Sequence, residues 1–382
     1  MAGPRGFHVH AGRAGIADDG RDDFAVLVSD TPAVVSGMFT RSRFAGPSVV
    51  LSRAACQDGQ ARGVVVLSRN ANVATGMVGA RQAAEVRDSV AKALGVTPDE
   101  LLIASTGVIG VEYPMARVEA AIDRLTYPTG TDFLAAATAI MTTDTRPKVI
   151  SLRCGDATVV GIAKGVGMIE PNMATMLAFF CTDALVSRGD LDRVFRSIIE
   201  RTFNAVSVDT DTSTSDSAAI FANGQAGPVD LVEFERVLYE AALCLVKEIA
   251  SDGEGASKLI EVRVAGARDA AQAKRVAKAI VNSPLVKTAV HGGDPNWGRV
   301  AMAIGKCEDD LDIDQERVRI GFADFEVYPA RPDAVTMARL VEHLSGGEVL
   351  IRVDLGIADG EFTVYGCDLT NGYVHINSAY TT

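Results

Sequence analysis

Residues 164–177 read KGVGMIEPNMATML, and the rest of the chain is best read outward from them. The stretch suggests a short strand, a glycine-rich turn, a Pro-Asn corner and then Met173-Ala174-Thr175-Met176-Leu177. Directly behind it Ala178-Phe179-Phe180-Cys181 is an apolar run with the character of a buried strand. A threonine at the lip of such a strand has its hydroxyl fixed by the core on one side and open to a pocket on the other. If the Ala174–Thr175 bond is cut, Thr175 carries both a hydroxyl and a free α-amine, a nucleophile with its own base. An α-amine titrates at about 7.7–8.0, so part of it is neutral near physiological pH. The ordinary meaning of a threonine before an apolar run is a strand start, and spacing alone does not choose between the two.

Upstream, Thr142-Thr143-Asp144-Thr145-Arg146-Pro147-Lys148 is too rich in Thr and Asp to continue a helix and reads as a loop. A hairpin over 149–153 and 157–163 then delivers the chain to Lys164. Further back, Leu101-Leu102-Ile103-Ala104-Ser105 is an apolar strand that ends in Thr106-Gly107. Glycine there lets backbone amides approach a ligand closely, and a strand end with exposed N–H groups and a hydroxyl can hold a developing oxyanion. A plain strand-to-helix turn has the same appearance. Short strands are predicted over 24–28, 33–35, 48–51 and 63–68. The last of these runs into an Asn70-Ala71-Asn72 turn whose side chains bond the backbone. A helix over 78–94 closes at Gly95, and two amphipathic helices fall near 115–125 and 132–141.

Downstream, a helix over 190–203 precedes Asp209-Thr210-Asp211-Thr212-Ser213-Thr214-Ser215-Asp216. The oxygen-rich run lacks the glycine and glutamate positions of an EF-hand loop; the family resemblance set out below implies instead a strand and turn lining a pocket, with no metal. A long helix over 231–250 ends in Asp252-Gly253-Glu254-Gly255, a carboxylate between two glycines. A strand over 258–265 and a helix over 269–281 follow. Then comes His291-Gly292-Gly293-Asp294-Pro295-Asn296-Trp297-Gly298-Arg299, a polar loop anchored by the only tryptophan, with Asp294 and Arg299 as site residues or, the favoured reading, a structural ion pair. The remainder alternates strand, helix, strand and strand to a tail ending Asn377-Ser378-Ala379-Tyr380-Thr381-Thr382.

The bulk numbers exclude several classes. The chain has 382 residues, 48% hydrophobic and 23% charged, as in ordinary globular proteins. A net charge of −12 argues against nucleic acid or an acidic membrane surface as partner. No apolar stretch approaches the roughly 18 residues of a membrane span, and MAGPRGFHVH has no apolar segment of a signal peptide. The six cysteines stand singly, without metal-ligand spacing, and read as reduced buried thiols of a cytoplasmic protein. The alternation of strands and helices, without repeats or linkers, argues an α/β fold.

The segment GVGMIEPNMATML, with Thr106-Gly107, Thr142–Thr145, Asp252–Gly255 and the HGGDPNWGR stretch in the same order, resembles the ornithine acetyltransferase (glutamate N-acetyltransferase) family. The likeness covers essentially the whole chain, most closely the members associated with clavulanic acid gene clusters. It implies a two-domain α/β/β/α-type sandwich related to self-processing aminopeptidases. It implies a cut between Ala174 and Thr175 into an α chain, residues 1–174, and a β chain, residues 175–382, assembled as an α2β2 heterotetramer. By the same resemblance Thr175 is the nucleophile, and Thr106 and Gly107 are the oxyanion donors. Thr143 (favoured over Thr142), Lys164, Thr175, Glu254, Asn377 and Thr382 contact substrate. The implied reaction moves an acetyl group from N2-acetyl-L-ornithine to L-glutamate with no cofactor. Some members also take acetyl-CoA, and no residue here decides that point. Two other readings stay open: an amidase or aminopeptidase using water as acceptor, and an uncut, non-catalytic binding protein.

Overall fold

The structure, a computed structural model, describes residues 3–170 and 176–379. Among these, the strands form two sheets. The larger runs, in spatial order, Leu101–Ser105, Gln60–Leu67, Phe24–Phe39, Ser217–Pro228, Leu177–Leu185, Ala157–Lys164 and Lys148–Cys154, with Phe7–Gly12 also paired to Phe24–Phe39. The smaller runs Phe325–Tyr328, Arg319–Phe322, Glu348–Asp354, Leu259–Ala267, Gly360–Cys367 and Val206–Ser207. This is the expected α/β, two-sheet architecture.

The strand Leu177–Leu185 shows why the larger sheet is central. It pairs antiparallel with Ala157–Lys164 and parallel with Ser217–Pro228. Its side chains alternate between two cores, as a pleat with period two requires. Ala178, Phe180 and Ala184 enter the core under the helices Arg188–Arg201 and Leu231–Ser251. Leu177, Phe179 and Cys181 enter the core that contains the helix Phe133–Ala139. Phe180 is fully buried and meets Phe195 and Phe203 edge-on, both with ring centroids 6.1 Å away. Its cross-strand partner is Gly161, where a Cβ would stand 2.6 Å from the Phe180 ring, so the glycine makes the space the ring fills. The smaller sheet is covered on one face by the helices Ala270–Val281, Trp297–Gly305 and Ala334–Leu344, around Val262, Ile280 and Leu340.

Most predicted elements form, several with the caps their sequences suggest. Gly95 ends the helix Gly76–Leu94 in the left-handed conformation at φ 67°, and Asp132 caps Phe133–Ala139 through the N–H groups of Leu134 and Ala135. Four expectations fail. Residues 48–51 are not a strand but part of the helix Pro47–Ala55. Its first turn accepts Pro47 without losing a hydrogen bond. Ser48, Val49, Ser52 and Ala55 lie on its buried side, and Ser52 accepts from the Ile103 N–H at 2.8 Å. The HGGDPNWGR stretch is a short connector between the helices Pro284–His291 and Trp297–Gly305. Trp297, 39% exposed, does not anchor a loop; it stacks on Tyr328 at 5.0 Å. Asp294 and Arg299 are not a pair: Asp294 accepts from Asn296, while Arg299 donates to the Leu285 carbonyl and the Thr288 hydroxyl. The cysteines are free, but only Cys154, Cys181 and Cys367 are buried; Cys56 and Cys307 are half-buried and Cys244 is exposed.

Removing the Phe180 ring tests the packing. Phe180→Ala is expected to lower unfolding free energy by about 3–5 kcal/mol, read as a lower denaturant midpoint at unchanged slope. A shift below about 1 kcal/mol would mean that the site collapses around the lost ring.

Candidate active site

One end of the larger sheet opens into a cavity of about 390 Å³, within the range of small-molecule sites. Thr106 and Gly107 reach it from the end of Leu101–Ser105, Lys164 from the end of Ala157–Lys164, and Leu177 from the start of the adjacent strand. Thr142 and Thr143 come from the loop after Phe133–Ala139, and Glu254 from the turn after Leu231–Ser251. Asp209 and residues 211–216 come from the run before Ser217–Pro228, as a pocket-lining turn should. Tyr373 and Asn377 come from the tail helix Asn371–Ala379. A tail usually frays; here it closes the cavity.

The turn after Leu101–Ser105 is tight. Thr106 donates its N–H to the Leu67 carbonyl at 3.1 Å, and Val108 donates to Arg69 at 3.2 Å. Between them Gly107 sits at φ 131°, and a Cβ there would lie 2.1 Å from the Arg69 carbonyl carbon. Only glycine fits. Among the described residues, neither the Gly107 N–H nor the Thr106 hydroxyl has a hydrogen-bond partner, and both residues line the cavity. Two adjacent donors are thus available there.

On the opposite side, Glu254 is held by two neighbours from distant parts of the chain. Thr143 Oγ1 donates to its Oε1 and Asn377 Nδ2 to its Oε2, each at 2.8 Å. The Glu254 N–H donates to the Val166 carbonyl at 2.8 Å. Thr143, Glu254 and Asn377 therefore form one contact network, while Thr142 instead meets Lys164, whose Nζ lies 3.5 Å from its hydroxyl.

Lys164 is 9% exposed, and among the described residues no carboxylate forms an ion pair with it. Burial lowers its pKa below the ordinary lysine value, and Asp144, Asp216 and Glu254 recover part of the shift. Beneath it Lys148, fully buried, bridges Asp144 and Asp252 at 2.7 Å each. Burial alone would raise the Asp144 carboxyl; the Lys148 and Lys164 cations and the Gly165 N–H outweigh it and hold it low. Asp209 accepts from the N–H groups of Met168 and Ile169 at 2.6 and 2.7 Å, yet burial keeps its carboxyl above the usual range.

The structure thus brings together Thr106, Gly107, Thr143, Lys164, Glu254 and Asn377. Ala174, Thr175 and Thr382 lie outside the described residues. Sequence reading missed Tyr373, whose phenol is pushed up to about 12 by burial and by Asp209, Glu254 and Asp211. It stands four residues before Asn377, so one helical turn places both on a face. It missed the Asp144–Lys148–Asp252 cluster for want of any local signal, since Asp252 is 104 residues from Lys148.

The ArgJ family model matches residues 8–382. Glutamate N-acetyltransferase Oat2 of Streptomyces clavuligerus is 66% identical over 385 residues, covering 99% of this chain and 98% of that protein. Arginine biosynthesis bifunctional protein ArgJ of Rhodococcoides fascians is 55% identical over 385 residues, covering 100% of this chain and 95% of that protein. Among solved structures, the arginine biosynthesis bifunctional protein of Bacillus halodurans is 40% identical, with a TM-score of 0.51. It covers 54% of this chain and 100% of the solved one. With a family model that spans nearly all of its length and relatives this similar end to end, the chain belongs to the ArgJ family.

Proposed function

We propose that this protein is an acetyltransferase of arginine biosynthesis that moves the acetyl group of N2-acetyl-L-ornithine to L-glutamate. The observation that carries the reading is the pairing, in one cavity, of the Thr106 and Gly107 donors, without partners among the described residues, with a buried Lys164 that has no ion-paired carboxylate among them and a tethered Glu254. The printed names of the relatives, glutamate N-acetyltransferase and arginine biosynthesis bifunctional protein, agree with it.

In this mechanism the chain first cuts itself between Ala174 and Thr175, freeing the Thr175 amine. The Thr175 hydroxyl oxygen then attacks the acetamide carbonyl carbon, and its proton passes to the α-amine. The carbonyl oxygen becomes an oxyanion between the Thr106 hydroxyl and the Gly107 N–H. The carbon–nitrogen bond breaks, the leaving amine takes the proton held by the Thr175 ammonium, and ornithine departs. The glutamate amine attacks the acetyl ester, its proton returns through the same α-amine, and N-acetylglutamate leaves with Thr175 restored. Lys164 holds a substrate carboxylate and Glu254 the ornithine ammonium; Thr143 and Asn377 line that pocket, and the family resemblance adds Thr382 as a substrate contact. The two chains, residues 1–174 and 175–382, form an α2β2 heterotetramer in the cytoplasm.

The direct test is intact-mass measurement with product analysis. Wild-type protein is expected as two chains, and Thr175→Ala as one inactive full-length chain. N-acetylglutamate should form from acetylornithine only with glutamate present. Acetate released at the same rate with and without glutamate would make the enzyme an amidase. The same assay with acetyl-CoA in place of acetylornithine reads the second donor.

Thr106→Val removes one oxyanion donor at nearly constant shape, and kcat is expected to fall by roughly 10²–10³-fold with little change in melting temperature. A wild-type rate would take Thr106 out of the mechanism.

Because burial lowers the Lys164 pKa, its charge is present at low pH and lost as pH rises through a value below the ordinary 10.5. Substrate KM should therefore climb on the alkaline side before that pH. In Lys164→Met the KM should be high throughout and the alkaline climb absent; a climb that survives would assign it to another group.

A further inference from the structure

We propose that the stretch from Ser207 to Ser217 is a clamp across the self-cleaving junction, and that within it Asp209 is a positioning residue for the self-processing step. The inference rests on the proposed cut between Ala174 and Thr175. It adds a role that the transfer mechanism does not need.

The clamp holds the last three described residues before the junction one by one. Asp209 takes the Met168 N–H on Oδ2 at 2.6 Å and the Ile169 N–H on Oδ1 at 2.7 Å. Both oxygens of one carboxylate are thereby committed to two successive amides. Met168 needs such a restraint, since its φ of 56° is left-handed, a conformation that a side chain disfavours. Ile169 forms an antiparallel bridge with Thr212, and its carbonyl accepts from the Val208 N–H at 2.8 Å. Thr212 Oγ1 donates to the Glu170 carbonyl at 3.0 Å. The Glu170 carboxylate is fixed in turn by Lys278 at 3.0 Å and Asn282 at 2.9 Å, at the end of the helix Ala270–Val281.

The other flank is held by the same stretch. The Ser217 N–H donates to the Met176 carbonyl at 3.0 Å, and Leu177 pairs with Ser217 in the sheet. One continuous run thus grips both sides of the junction. Its length fixes how far apart the described flanks stand, the span that the junction has to cross. Intramolecular attack depends steeply on that placement.

A carboxylate that already accepts two backbone amides and sits above a left-handed residue is spent on geometry. Glu254 differs in what holds it: its oxygens accept from the side chains of Thr143 and Asn377, whereas those of Asp209 accept from backbone amides of the segment that leads to the junction.

The test uses the full chain, expressed cold and purified before conversion is complete, with cleavage followed by denaturing gel and intact mass. Asp209→Ala is expected to slow conversion by roughly 10–10²-fold, with a melting temperature close to that of the uncut Thr175→Ala chain. Asp209→Asn, which keeps one acceptor oxygen, should convert at an intermediate rate. Thr212→Val, which removes a hydroxyl at constant shape, should slow conversion without loss of fold even if Asp209→Ala does not fold. Conversion of both Asp209 variants or of Thr212→Val at the wild-type rate overturns the clamp. So does Asp209→Asn converting normally while raising the KM for acetylornithine, which would make Asp209 a substrate ligand. A wild-type chain that never converts overturns the self-cleavage reading itself, an outcome distinct from the others.

Discussion

The site depends on one buried ionic contact. Lys148, with no exposed side-chain surface, stands between Asp144 and Asp252. Other donors fill out each carboxylate: Asp144 accepts from the N–H groups of Thr142 and Gly165, and Asp252 from the N–H and hydroxyl of Thr145 and from Arg146. Three segments far apart in sequence are thereby tied at one point, each ending within two residues of Thr143, Lys164 or Glu254. Desolvating three charges offsets most of their attraction, and such clusters are weak net stabilisers. What this one does supply is separation: it sets the distance between the cation and the carboxylate that face a ligand.

The cavity it supports has two signs. Lys164 is the cation among its described lining residues, while Asp209, Asp211, Asp216 and Glu254 are acidic. Burial around Lys164 strengthens its pull on an anion, and the acidic residues of the lining favour an ammonium. An amino-acid derivative carries both groups at a fixed spacing. The free donors of Thr106 and Gly107 add a third point, where an uncharged carbonyl could acquire charge. A cavity of one sign would hold either end of such a molecule without orienting it.

Much of this was legible in the sequence because it is locally encoded. The apolar run behind Thr175, the Gly95 cap and the Thr106-Gly107 strand end each announce a conformation through neighbouring residues. Residues 48–51 misled because Val-Val-Leu carries β propensity, while the buried hydroxyls of Ser48 and Ser52 that choose the helix find partners on another strand, at Ser105 and Ile103. Trp297 and Asp294 misled for the opposite reason: their sequence is distinctive, but its order comes from two helices and from Tyr328, 31 residues on. Lys148 gave no sign of its role. Its two partners come from separate segments, and nothing in a single sequence couples positions 148 and 252.

The larger sheet takes strands from both sides of the Ala174–Thr175 junction, with Ala157–Lys164 before it laddered to Leu177–Leu185 after it. On the far side of the sheet Phe24–Phe39 is laddered to Ser217–Pro228 in the same way. A break in the backbone at that junction leaves the ladders whole, so neither piece can leave without dismantling the centre of the molecule. Mature partners would then be bound for life: mixing two finished preparations would not shuffle their halves. A defect in one half could be complemented only during synthesis, before the strands interleave. The lineage of each active site would be fixed by the ribosome that made both its walls.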